Sequence, residues 1–195
     1  MMRMKDKIET QKDRMDRIIE WVKACDTKTS IVMTLAVLVP TFIVGTDWVI
    51  ERLECIVVPV VDAIKNQGTG YCFSWSNCIT LCLLVLTLVL LGISLSRFIK
   101  VLIAKTSETA FGRDVKQDTL IHFRKISTYK DFASYKQKTE CEKEEDYYED
   151  LLSQTYINAK RCNEKFDDYN SGLKWLCGAI VSLFLFIVSL FVVVL

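Results

Sequence analysis

The sequence predicts an all-α membrane protein: three transmembrane helices, and a cytosolic helical stalk formed by the N-terminal helix and the long helix preceding the last span. Three observations carry this. The first is a set of uncharged runs. Trp175 to Leu195 is 21 residues without a charge, Asn66 to Ser96 is uncharged with its densest apolar part at Ile79–Leu95, and Thr29 to Thr46 is uncharged up to Asp47. A bilayer span needs about 20 mostly apolar residues. The second is the distribution of cations. Lys and Arg number 8 in residues 1–28, 2 in residues 47–78 and 15 in residues 97–174. Cytosolic segments carry the excess of Lys and Arg, so the N-terminus and the central region are expected inside, the 47–78 segment and the C-terminus outside. The third is a pair of seven-residue repeats, one before the first span and one before the last. The formal net charge of +1 averages over both sides of a membrane and excludes nothing.

Taken in order, residues 1–28 read as one cytosolic helix. Met4, Ile8, Gln11, Met15, Ile18, Val22, Cys25 and Thr29 step by four and three, the spacing of a narrow seam for another helix. No Pro or Gly interrupts the helix before the membrane, so it is expected to run into the first span, residues 29–50. That span contains Pro40, tolerated where neighbours satisfy the freed carbonyl. It reads as an anchor; the charged segment before it is too long and too rich in acids for a cleaved signal. The external loop, 51–74, contains CIVVPVVDAI, a short interfacial helix or an extended piece, and the turn NQGTG. The second span is 75–97. Residues 98–173 form the cytosolic sensing region. Within it TSETAFGRDVKQD is a loop, TLIHFRKI a short amphipathic piece of undecided type, and YKDFASYKQK helical with Phe132 and Tyr135 on one face. From about Glu142 a second long helix runs into the third span, 174–195. Its expected apolar seam is Tyr148, Leu152, Thr155, Ala159, Cys162, Phe166, Tyr169 and Leu173, with Gly172 a weak point.

Beside that seam, Gln154, Asn158, Arg161 and Lys165 are spaced four, three and four. Amides can read a base edge and cations can pair with phosphate, although charged stripes are more often solvated faces. At the first span's edge stand Asp26 and Lys28. Lys28 can snorkel to the headgroups. Asp26 is too short for that, and a cation or amide of the neighbouring stalk helix, such as Lys174 or Lys165, is its expected partner. This pair is the candidate link between stalk and membrane. His122 is the single histidine, and no Cys, Ser or second His completes an active site around it. No phosphate-cradling Gly loop and no zinc spacing occurs, so neither enzymatic activity, a catalytic residue, a metal nor a cofactor is expected. Cys55, Cys72 and Cys78 fall in or near the external segment, where a disulfide is open.

Several pieces in this order are familiar together: WVKACDTKTS at the start of the first span, LIHFRKI after the second, and DLLSQTYINAKRCNEKF before the third. The set resembles the Pycsar transmembrane effector family of bacterial antiphage defence, over both cytosolic helices and most of the chain. The resemblance implies an inner-membrane, multi-pass effector. A neighbouring cyclase would supply cyclic UMP or cyclic CMP as the activating ligand, bound on the cytosolic side. The effector would then disrupt the bilayer and arrest growth of the infected cell. Positions carried over by the resemblance are Asp26, Lys28, Phe123, Ile126, Gln154, Asn158, Lys160 and Lys165. The chain departs from the family at 122–125, with His122, Phe123, Arg124 and Lys125 where the family tends to an aromatic, Phe, Gly and an acid.

The reading is therefore a ligand-gated membrane-disrupting effector. Arg161 and Lys165 are assigned to phosphate, Gln154 and Asn158 to base or ribose. The lipid bilayer is a partner, several protomers are expected to combine, and no nucleic-acid polymer is expected as partner. The alternatives are a holin-like membrane toxin needing no ligand, and a non-enzymatic membrane scaffold that recruits partners through its seams.

Overall fold

The structure is a computed structural model that describes residues 3–64, 75–103 and 119–192. The NQGTG turn, the TSETAFGRDVKQD loop and Cys72 lie outside the described residues. Among the described residues every regular element is a helix: α1 Met4–Val44, α2 Asp47–Ile64, α3 Trp75–Leu102, α4 Phe123–Ile126, α5 Phe132–Glu140 and α6 Glu144–Val192. Three of them, α1, α3 and α6, are long and apolar enough to cross a bilayer. The chain is an all-α membrane protein. Lengths are informative here. At about 1.5 Å per residue a bilayer core takes up about 20 residues. The 41 residues of α1 and the 49 of α6 are each about twice that. Each helix therefore carries a charged half and an apolar half without a break.

The chain divides into two compact units: residues up to Asp26 together with Ile103–Phe166, and Thr27–Leu102 together with Asp167–Leu195. In the first unit, the predicted seam of α1 is its inner face. Gln11 and Cys25 are buried, and Met4, Ile8, Met15, Ile18 and Val22 are half-buried among exposed charges. This seam meets α6 in parallel. Lys12 Nζ sits 5.3 Å from the centre of the Tyr147 ring, and Trp21 meets Phe166 edge-on at 6.1 Å. Residues 119–122 are not helical, and α4 is a single turn capped by His122, whose Nδ1 accepts from Arg124 N–H at 3.4 Å. Asp131 caps α5 by accepting from Ser134 N–H at 2.8 Å, and that bond holds its carboxyl below the ordinary range. As expected, α5 is helical, but Phe132 opens it with its ring largely exposed while Tyr135 turns inward against Tyr129.

The α6 seam differs from the expected one. Leu152 and Ala159 are exposed, whereas Asp150, Leu151, Gln154 and Ile157 are buried. The inner arc is turned by roughly a quarter of a helical turn towards the polar stripe. The reason is that α6 has two neighbours in this unit. It meets α1 through Tyr147, Lys165 and Phe166, and it meets the 119–122 segment through Asp150. A helix contacted from two sides buries a broader arc than a single seam, and here the arc's centre falls on polar residues.

In the second unit, α1 ends at Val44, and Trp48, Val49 and Ile50, expected at the end of the first span, belong to α2. The last α-helical bond runs from Gly45 N–H to Thr41 O at 2.9 Å, and Thr46 N–H turns to Ile43 O at 3.3 Å instead. CIVVPVVDAI is helical. Val49 and Ile56 of α2 close a core with Leu183, Phe186 and Leu190 of α6, and the Trp48 ring meets that of Phe191 at a tilt, with centres 4.7 Å apart. The outward residues, such as Leu38, Phe42, Leu88 and Phe184, are large, apolar and exposed. In water such surface would be costly; in a bilayer it faces chemistry of its own kind. An apolar groove of about 460 Å³ lies among α1, α3 and α6, lined by residues such as Ala36, Pro40, Leu91 and Leu183.

The buried side of α3 is polar at intervals. Thr80, Thr87 and Ser94 recur every seven residues and are almost wholly buried. Thr87 and Ser182 hydroxyls lie 2.9 Å apart and share the Leu83 carbonyl, and Ser94 donates to Gly172 O at 2.9 Å. Gly172 is required where the sequence marks a weak point: an added Cβ would fall 2.6 Å from the buried Phe98 ring. Arg97 pairs with Asp168 at 3.2 Å on the same side of this unit.

A candidate messenger site on the inner face of the first unit

Four of the predicted site residues share one arc of α6. Gln154 is 3 % exposed, and Asn158, Arg161 and Lys165 are half-buried. The solvated-face explanation of the stripe fails at Gln154. Helical spacing places these side chains in a column, and the Asp150 side chain, one turn before Gln154, begins it. Sequence reasoning passed over Asp150. The signal was present, since it stands four residues before Gln154 and continues the stripe.

At one end of the column, Lys165 Nζ makes an ion pair with Asp26 Oδ1 of α1. The pairing expected of Asp26 is therefore found, with Lys165. The Lys165 side chain is 19 % and the Asp26 side chain 38 % exposed, so this is a partly desolvated pair, less screened by salt than one on an open surface. Cys162, a turn before Lys165, has its thiol pushed up, first by burial and also by the Asp26 charge, with Lys165 pulling the other way. Lys28 is exposed. Lys160 is exposed too, with its Nζ 5.7 Å from the centre of the Tyr156 ring.

At the other end, Asp150 is wholly buried. Its Oδ2 accepts from Leu120 N–H at 2.8 Å, while Oδ1 has no hydrogen-bond partner. Gln154 Nε2 is buried and likewise unpartnered. A buried donor or acceptor left unmade costs about 1–3 kcal/mol, so a folded domain keeps such groups where something else satisfies them. Phe123 and Ile126, both indicated by the resemblance, follow this segment in α4. Phe123 is 66 % exposed and stacks on His122 with ring centres 4.8 Å apart; Ile126 is half-buried. Among the described residues, no three His, Cys, Asp or Glu side chains gather where a metal ion could bind.

Fold and site define a helical membrane protein whose first unit carries a buried polar column on a helix that continues into a span. Comparison with known proteins specifies the class. The model of the Pycsar effector protein domain, PycTM, matches residues 10–194, and the chain belongs to that family. It is 30 % identical over 168 residues to the Pycsar effector protein GmPycTM of Gulbenkiania mobilis, covering 86 % of this chain and 84 % of the relative. No solved structure matches. Membership places the chain among effectors of antiphage defence that reside in a membrane.

Proposed function

We propose that the chain is switched on by a cyclic pyrimidine mononucleotide, cyclic UMP or cyclic CMP, and that the switched form breaches the bacterial inner membrane and arrests growth. The observation that supports this most directly is the continuity of α1 and α6. Both helices that build the polar column run from the first unit into the apolar segments without a loop. A displacement at the column is thus carried by chain continuity into two spans.

In this reading Arg161 and Lys165 take the phosphate, and Gln154 and Asn158 face base and ribose. Lys165 already holds Asp26, so phosphate competes with a carboxylate for the same ammonium. Binding then weakens the tie between α1 and α6, which gives the ligand the differential affinity for two states that any switch requires. Several protomers combine, because uncharged spans of this kind cannot line a watery path singly. The N-terminus lies in the cytosol and the C-terminus outside.

The test is titration of the purified full-length protein with cyclic UMP and cyclic CMP, alongside a dye for membrane potential in cells with and without a cognate cyclase. Saturable binding and cyclase-dependent depolarisation are expected. An Arg161→Ala, Lys165→Ala double variant should bind at least about tenfold more weakly, since hydrogen bonds to charged groups are worth about 1.5–3 kcal/mol each. Depolarisation without a cyclase would point instead to a toxin that needs no ligand.

A further inference from the structure

We propose that Asp150 and Gln154 act together as the reader of the messenger's base, with Asp150 as the residue that sets which edge is accepted. This rests on the cyclic-nucleotide reading above and adds to it a residue and a chemistry. The two side chains stand one turn apart on α6 and are therefore neighbours. Asp150 is 0 % and Gln154 3 % exposed. Asp150 Oδ1 and Gln154 Nε2 have no hydrogen-bond partner, each other included. An ionised carboxylate can only accept, and the amide nitrogen can only donate. The complement of this pair is a flat edge with an N–H donor beside an acceptor. Pyrimidines carry such an edge: N3–H beside a carbonyl oxygen in uracil, the N4 amino group beside N3 in cytosine.

The carboxylate is held ready for this role. Its second oxygen is taken by Leu120 N–H at 2.8 Å, which fixes the plane of the group. Thr119 and Leu120 are themselves buried, at 1 % and 8 % exposure. A base that reaches Oδ1 shares the carboxylate with Leu120 N–H, and the segment of Leu120 leads directly into α4. Recognition of the base is thereby coupled to residues 119–126 through the carboxylate that both share.

Isosteric variants separate reading from folding. Asp150→Asn keeps an acceptor for Leu120 N–H but turns the open acceptor into a donor; Gln154→Glu makes the converse change. Affinities of the full-length protein in detergent are measured for cyclic UMP, cyclic CMP and, as a purine control, cyclic AMP, with thermal melts of each ligand-free variant. The expected result is a loss of tenfold or more in each variant for the pyrimidine that the wild type binds, a changed ratio between the two pyrimidines, and unchanged melts. Wild-type affinity in both variants, or losses that track a lowered melt with the ratio unchanged, would overturn the assignment while leaving the nucleotide reading standing. Absence of binding by the wild type to all three probes would overturn the nucleotide reading itself, and this inference with it.

Discussion

Asp26 shows what a single residue can announce in advance. An acid too short to snorkel at the edge of a span has few options, so a cationic partner on a neighbouring helix was legible, and Lys165 of α6 fills that role. Asp150 shows the opposite. Its importance lies in one bond to a backbone N–H thirty residues away, and no local spacing encodes a long-range contact with an irregular segment. The Asp26–Lys165 pair makes a measurable prediction through Cys162. Burial and the Asp26 charge hold that thiol up, so little thiolate is present near pH 7.5 and alkylation is slow compared with the exposed Cys141. Replacing Asp26 by Asn removes one of the two causes that raise it and leaves Lys165 pulling it down. Alkylation of Cys162 should then accelerate, with the pH–rate curve displaced to lower pH. Mass-spectrometric labelling rates in detergent decide this; an unchanged rate means the pair does not form in solution.

Among the elements, α1 was the most legible, because its inner face is a single apolar seam against one partner and the seven-residue spacing reports that directly. The face of α6 was not, because its two neighbours bury a polar arc, and apolar periodicity cannot see a buried polar arc. The extended reach of α2 was half legible: CIVVPVVDAI could be either helix or extended chain until its packing on α6 was known. The α3–α6 contact was also present in the sequence, in Thr87 and Ser94 seven residues apart, but a hydroxyl inside a span is easily read as filler. Gly172 turns these contacts into a prediction. Ala there gains about 1 kcal/mol of helix propensity, but its methyl overlaps the buried Phe98 ring, and overpacking costs about 1–3 kcal/mol. Gly172→Ala should therefore lower stability in detergent by about 1 kcal/mol net. Adding Phe98→Leu should recover much of the loss. If Gly172→Ala alone is stabilising, α3 and α6 do not approach as described.

For the whole molecule, the number of candidate spans and the helical class were readable from hydropathy and length, since both are one-dimensional properties. The sidedness rests on the Lys and Arg asymmetry and is directly testable with the chain's own cysteines. Cys55 on α2 and Cys141 after α5 are exposed free thiols. In single-cysteine variants, a membrane-impermeant maleimide should label Cys55 in cells whose outer membrane alone is opened. Cys141 should react only after the inner membrane is opened as well. The reverse pattern would invert the molecule and place the polar column outside the cytosol, removing it from the reach of any cytosolic messenger.

The hydroxyls between α3 and α6 carry one more implication. Thr80 and Thr87 each already have an acceptor in their own helix, at Ser76 O and Leu83 O. Were α3 and α6 to part within the hydrocarbon, neither would be stranded, for each would keep its bond at home. Ser94, tied to Gly172 O, and Ser182, tied to Leu83 O, are the exceptions. Two serine hydroxyls thus fasten α3 to α6, and parting the helices costs a bond at each, one of them near the end where Arg97 meets Asp168. Such a fastening resists idle separation of the two helices within the hydrocarbon, where no water replaces the lost bonds.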